Sequence, residues 1–249
     1  MAHTFDTKLR FTGATSPLTS NYTCGAGTTV LVVSVVTAGS TNRAGGNPTF
    51  NGVALSQADQ LRKYSSSPET SCELFYLLNP PTGSAYQISV PNTGTRTLYV
   101  VASSYKAASG YTSALDKVNG GTGLSANPSV SVTTTVNGDV IVGVMGDGYT
   151  SVPTGRSGVV LYSTDDGQYT DNAQYYLQAN LGVWATSWTV SSDDWCVCVV
   201  AFKEVALLTG WRKLQYLTEP PTIGVFNKLK FASEPPVSGA FNKLLYDGE

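Results

Sequence analysis

Thr28-Thr29-Val30-Leu31-Val32-Val33-Ser34-Val35-Val36 is the stretch on which the fold turns. It is an almost unbroken run of β-branched and aliphatic residues with no polar alternation. A run of that length and kind reads as a strand buried on both faces, at the centre of a sheet. Val140-Ile141-Val142-Gly143-Val144-Met145, entered through the turn Asn137-Gly138-Asp139, resembles it and predicts a second such strand.

Working outward, Thr49 to Leu55 reads as a hairpin with Asn51-Gly52 at its tip, the pair that tolerates positive φ. Cys72 to Leu78 is a strong strand closed by Asn79-Pro80-Pro81-Thr82-Gly83, and Tyr86 to Val90 alternates as its half-buried partner. Further strands are expected at Leu98–Tyr105, Val130–Thr134, Val159–Tyr162, Gln174–Gln178, Trp184–Val190 and Trp195–Phe202. Thr12–Gly27 is turn-rich, Gln60–Thr70 reads as a polar loop, and Lys106–Pro128 carries no clear pattern. Many strands with turn signals between them predict an all-β fold: an antiparallel two-sheet sandwich, jelly-roll-like.

Composition agrees. Charged residues are only 13% of the 249, and no long run of helix formers occurs. A net charge of −2 gives no case for nucleic acid as a partner. The N-terminus lacks the apolar core of a signal peptide, and Val30–Val36 is far short of the roughly 20 residues that span a bilayer. The expectation is a soluble chain with no membrane partner. Of the four cysteines, Cys196 and Cys198 share a strand face and cannot easily bond each other, Cys24 and Cys72 could pair, and buried thiols are the favoured reading.

The order of pieces, from the apolar strand through Phe50-Asn51-Gly52-Val53-Ala54-Leu55, Phe75 to Gly83, Val140 to Val144 and the closing Trp195-to-Lys203 strand, resembles a β-sandwich module of bacteriophage virion proteins and bacterial surface proteins. The resemblance covers about residues 25–204 and rests on packing and turn motifs. It implies the sandwich fold and a structural role, and it brings no catalytic residues.

Beyond that module the chain repeats itself. Trp211-Arg212-Lys213-Leu214-Gln215-Tyr216 returns as Phe226-Asn227-Lys228-Leu229-Lys230-Phe231 and as Phe241-Asn242-Lys243-Leu244-Leu245-Tyr246. Pro220-Pro221 recurs as Pro235-Pro236, and Lys8-Leu9-Arg10-Phe11 is a shorter echo at the other end. Each of the three C-terminal copies reads as a short strand with Leu and an aromatic on one face; in the middle copy Lys228 and Lys230 take the other face, and a Pro-Pro stop follows the first two copies. Such a strand cannot fold alone. Either the copies form a small meander on the parent body, with the Lys8 copy as a fourth strand, or they are arms that add strands to other subunits; the two are compatible. The expected organisation is an N-terminal strand arm over 1–24, a sandwich over 25–204 and a C-terminal repeat arm over 205–249. Lys8, Leu9, Phe11, Trp211, Leu214, Tyr216, Phe226, Leu229, Phe231, Phe241, Leu244 and Tyr246 are the candidate docking residues.

Candidates for chemistry are few. The only histidine, His3, stands in a terminus expected to fray, which removes Ser-His-Asp and Cys-His arrangements and a His-containing zinc site. The acid groups Asp165-Asp166 with Asp171, and Asp193-Asp194, are expected in turns, where Asp bonds its own backbone. No cofactor and no metal is expected. Trp184 and Trp188, among several tyrosines, could stack on a sugar; the plainer reading is that alternate members pack the core. The sequence thus points to a non-enzymatic structural protein of a bacteriophage particle, located in the virion and assembled in the host cytoplasm: a capsid decoration (cement) protein, or a tail or fibre component. Its expected partners are copies of itself, possibly as a trimer, and other virion proteins. The alternative is a carbohydrate-binding or adhesive module with a glycan as partner.

Overall fold

The apolar runs become the inner strands of two successive β-sandwiches. The computed structural model describes residues 3–38, 46–63, 70–92, 96–148, 152–165, 170–177 and 180–207. The first sandwich contains β1 (Thr4–Gly13), β2 (Leu18–Tyr22), β3 (Val30–Ala38), β4 (Thr49–Phe50), β5 (Val53–Ala54), β6 (Ser56–Lys63), β7 (Thr70–Leu78), β8 (Tyr86–Val90) and β9 (Leu98–Lys106). The second contains β10 (Tyr111–Ser125), β11 (Ser129–Thr133), β12 (Val140–Asp147), β13 (Gly155–Arg156), β14 (Val159–Asp165), β15 (Thr170–Leu177), β16 (Val183–Thr189) and β17 (Asp193–Ala206).

The strand order is the same in both. Sheet β1-β9-β3-β7-β6 faces β2-β8-β4-β5 in the first, and β10-β17-β12-β15-β14 faces β11-β16-β13 in the second. The first strand lies beside the last, the second beside the next to last, and the third beside the one before that, always antiparallel. That nesting is the jelly-roll arrangement. The two-sheet antiparallel sandwich expected from the sequence is therefore present twice, and β1 and β2, within the segment expected as an arm over 1–24, belong to the first copy.

The two larger sheets pack on each other, which explains why the sequence of β3 lacks alternation. Val30, Val32 and Val36 enter a central core shared with Val140, Val142, Val144, Val200 and Phe202 of the second sandwich. Leu31, Val33 and Val35 point the other way, onto Leu18, Phe50, Ile88 and Val90 of the first sandwich's outer sheet. In β12 and β17, Ile141, Met145, Val197 and Val199 likewise turn away, toward Val130, Val132 and Trp188. Four layers with three cores result, and both inner sheets are buried on both faces.

A local signal explains the β4–β5 turn. Asn51 and Gly52 both have positive φ, 50° and 76°, at the tip of the β4–β5 hairpin, as the Asn-Gly pair predicts. Four of the described strands lie where none was expected. β2 falls within the turn-rich segment, β6 runs into the expected polar loop, β10 occupies the patternless stretch, and the short β13 precedes the strand expected at Val159.

Candidate docking site

β1 is the one copy of the repeated motif among the described residues, and it is seated in the chain's own sheet, which corrects the assignment of Lys8, Leu9 and Phe11 as residues offered to another subunit. Lys8 stands opposite Ser103, Leu9 opposite Ala102, Arg10 opposite Val101 and Phe11 opposite Val100. The motif's alternation divides its side chains between two environments. Leu9 and Phe11 pack, half-buried, on the outer core of the first sandwich. Lys8 and Arg10 face the second sandwich: Lys8 Nζ donates to the Val160 carbonyl at 3.3 Å. The Arg10 guanidinium lies 4.4 Å from the centre of the Tyr162 ring and 5.6 Å from that of Tyr99. Lys8, Leu9, Arg10, Val101, Leu161 and Tyr162 line a groove of about 420 Å3 there. β1 is an edge strand, pairing only with β9 among the described residues.

A bulge fixes the position of β1. The register skips Asp6, between Phe5 opposite Tyr105 and Thr7 opposite Ser104. The released carboxylate accepts from Gly25 N at 2.8 Å, Thr28 Oγ1 at 2.9 Å and Ser104 Oγ at 2.8 Å, and pairs with Lys106 Nζ at 2.9 Å. Burial works to raise its pKa, but the donors from Lys106, Gly25, Ser104 and Thr28 outweigh it and hold the group below the ordinary carboxylate value. Tyr22 braces the same strand, its hydroxyl donating to the Thr7 carbonyl at 2.8 Å.

His3 corrects the expectation of a fraying terminus. It is buried at 1% exposure, with Nδ1 2.9 Å from the Gly138 carbonyl and Nε2 2.8 Å from Ser113 Oγ, both in the second sandwich. Burial lowers its pKa, against the raising influence of the Gly138 carbonyl and Glu204. With Nδ1 donating to Gly138, Nε2 accepts from Ser113, whose oxygen lies 2.6 Å from Thr29 Oγ1. A histidine does touch a serine hydroxyl here, but Ser113 is itself only 3% exposed. The pair clasps the start of β1 to its neighbour.

The other candidate residues are dispersed. Trp188 is 2% exposed and belongs to the outer core of the second sandwich, which corrects its assignment as a glycan contact. Trp184 is half-buried and meets Tyr176 edge-on at 6.0 Å. Tyr175 stacks on Phe5 at 5.1 Å instead of lining a surface platform. The acids expected in turns are largely in strands: Asp165 ends β14, Asp171 lies in β15, and Asp193 and Asp194 open β17, with Asp194 buried. Asp166 lies outside the described residues. So do Trp211, Leu214, Tyr216, Phe226, Leu229, Phe231, Phe241, Leu244 and Tyr246. Cys24 and Cys72, offered as a possible pair, are in different cores.

Sequence reasoning missed the anchoring carboxylates, of which there is a second set. Asp116 sits at a bulge in β10, accepts from Thr135 N at 2.7 Å and from its hydroxyl, and lies 3.5 Å from Lys203 Nζ. The signal was present in the chain: Phe5-Asp6 with Tyr105-Lys106 is repeated as Leu115-Asp116 with Phe202-Lys203. Asp139 beside it is fully buried and pushed up to about 7, first by burial and then by the Asp116 carboxylate. Compared with protein-family models, with curated proteins and with solved structures, the chain matches none of them.

Proposed function

We propose that this chain is a non-enzymatic structural protein of a bacteriophage particle, a capsid decoration protein or a tail or fibre component. Its double jelly roll is the body, and its C-terminal repeats dock on neighbouring subunits as added strands. The observation that carries the docking reading is the seating of Lys8-Leu9-Arg10-Phe11. That sequence is used as an edge strand whose Leu and Phe enter an apolar seat, while its cations reach a carbonyl and a tyrosine face. Lys228-Leu229-Lys230-Phe231 has the same alternation and would satisfy the same kind of seat.

Each repeat therefore asks for a sheet edge with an apolar groove on one side and carbonyl or aromatic groups on the other. A second copy of this chain, assembling as a homo-oligomer, or another virion protein would supply it. Burying a Leu and a Phe contributes about 1.5–3 kcal/mol each, and three tail repeats multiply that gain across a particle. The phage setting follows from the resemblance of the sandwich sequence to virion modules. A chain ending at Leu207 tests the proposal: it should fold as the full chain does and fail to join particles. Full incorporation of that shortened chain would refute the docking role.

A further inference from the structure

The central core holds a cluster of sulfur that the docking reading does not use. Cys72 comes from β7 of the first sandwich, and Cys196 and Cys198 come from one face of β17 in the second. All three have no exposed surface. Cys72 Sγ and Cys198 Sγ lie 3.1 Å apart, and Cys198 Sγ is 3.4 Å from the Cys72 carbonyl oxygen. That separation is about 1 Å longer than a sulfur–sulfur bond. Cys196 Sγ also borders the Cys72 thiol and lies 3.7 Å from the Gly146 carbonyl. Cys196 and Cys198 are about 6.8 Å apart along the strand, at the outer limit of what a bridge spans. Cys24 is in another core altogether.

We propose that Cys72 and Cys198 form a covalent cross-link site between the two jelly rolls, closing to a disulfide when the chain meets a disulfide oxidant such as oxidised glutathione. The two thiols lose two protons and two electrons as the sulfur–sulfur bond forms. One glutathione disulfide takes them up and is released as two glutathione thiols. The reaction passes through a mixed disulfide at one cysteine, which the other thiolate attacks. Burial and the neighbouring thiols raise the Cys72 pKa well above its ordinary value, so the exchange proceeds when the core opens transiently. Once closed, the bond ties β7 to β17, and the two sandwiches cannot separate without reduction. This inference is independent of what the tail binds.

The test uses the full chain, warmed below its melting temperature with excess oxidised glutathione, quenched in acid, alkylated under denaturing conditions and mapped by mass spectrometry. The expected product joins the Cys72 and Cys198 peptides, leaves Cys24 and Cys196 alkylated, and melts at a higher temperature until a reductant is added. Cys196→Ser should keep the bridge and Cys198→Ser should abolish it. If Cys198→Ser fails to fold, the map of the natural chain decides alone. Four alkylated cysteines, a Cys72 link to Cys24 or Cys196, or a glutathione adduct left on Cys72 would overturn the proposal.

Discussion

Asp6 and Asp116 occupy the same place in the two sandwiches. Each is the extra residue of a bulge in the first strand, and each reaches a lysine at the end of the last, Lys106 at 2.9 Å and Lys203 at 3.5 Å. Each also accepts a backbone N–H from the segment that leads into the third strand, from Gly25 or Thr135. One carboxylate thus ties together the start, the middle and the end of a jelly roll.

Asp6→Ala should therefore destabilise the chain by about 2–3 kcal/mol in urea unfolding, because it strands a lysine and three donors at once. The Asp6 pKa is lowered in the folded state, so its contribution is present above the ordinary value of 3.8 and is lost as pH falls below it. A variant as stable as the parent would show that the bulge forms without its anchor.

Asp139 has the opposite linkage. Its pKa is raised from 3.8 to about 7 in the folded chain, first by burial and then by Asp116, with Lys203 opposing and Glu204 adding to the rise. The folded state then holds a proton that the unfolded state has released, so stability falls as pH rises from about 4 to about 7. Asp139→Asn should flatten that part of the profile and raise stability at pH 8, by at most about 4 kcal/mol. An unchanged slope in thermal melts from pH 4 to 8 would contradict this.

Gly123 shows why β10 was hidden in the sequence. A Cβ there would lie 2.5 Å from Trp195 Cζ2, because the indole lies across the strand, its Nε1 donating to Ser125 Oγ at 3.0 Å. Gly121 meets the same ring and Val130. Glycines that make room for a tryptophan on the neighbouring strand read, in one dimension, as a loop. Gly123→Ala should cost about 1–3 kcal/mol, whereas Gly27→Ala has open space and only its φ of +80° against it. Equal stability of Gly123→Ala and the parent in chemical denaturation would count against the assigned register.

The strands that were legible are those whose pattern is set by burial alone. β3, β12 and β17 are buried on both faces, and their unbroken apolar runs need no partner to be recognised. β6 was obscured because its sequence, Ser56 to Lys63, is mostly polar. The duplication was half-visible in the likeness of Val140–Met145 to Val30–Val36, but the matched Asp and Lys positions carry meaning only once the bulges bring them together. His3 gave no local sign of its anchor, since Gly138 and Ser113 are 135 and 110 residues away.

Trp188→Ala should cost about 3–5 kcal/mol, as emptying a core site does, whatever the chain binds. Trp184→Ala should leave the fold nearly intact. Glycan-array binding that is present in the parent and lost in a folded Trp184→Ala chain would favour the carbohydrate-binding alternative over the docking account.

The most direct measurement replaces Leu214, Leu229 and Leu244 together by Asp in the full-length chain and quantifies its incorporation into particles beside the parent. The account predicts an unchanged melting temperature for the double jelly roll and loss of incorporation, since the apolar anchors of all three repeats are gone. Incorporation equal to that of the parent would contradict it.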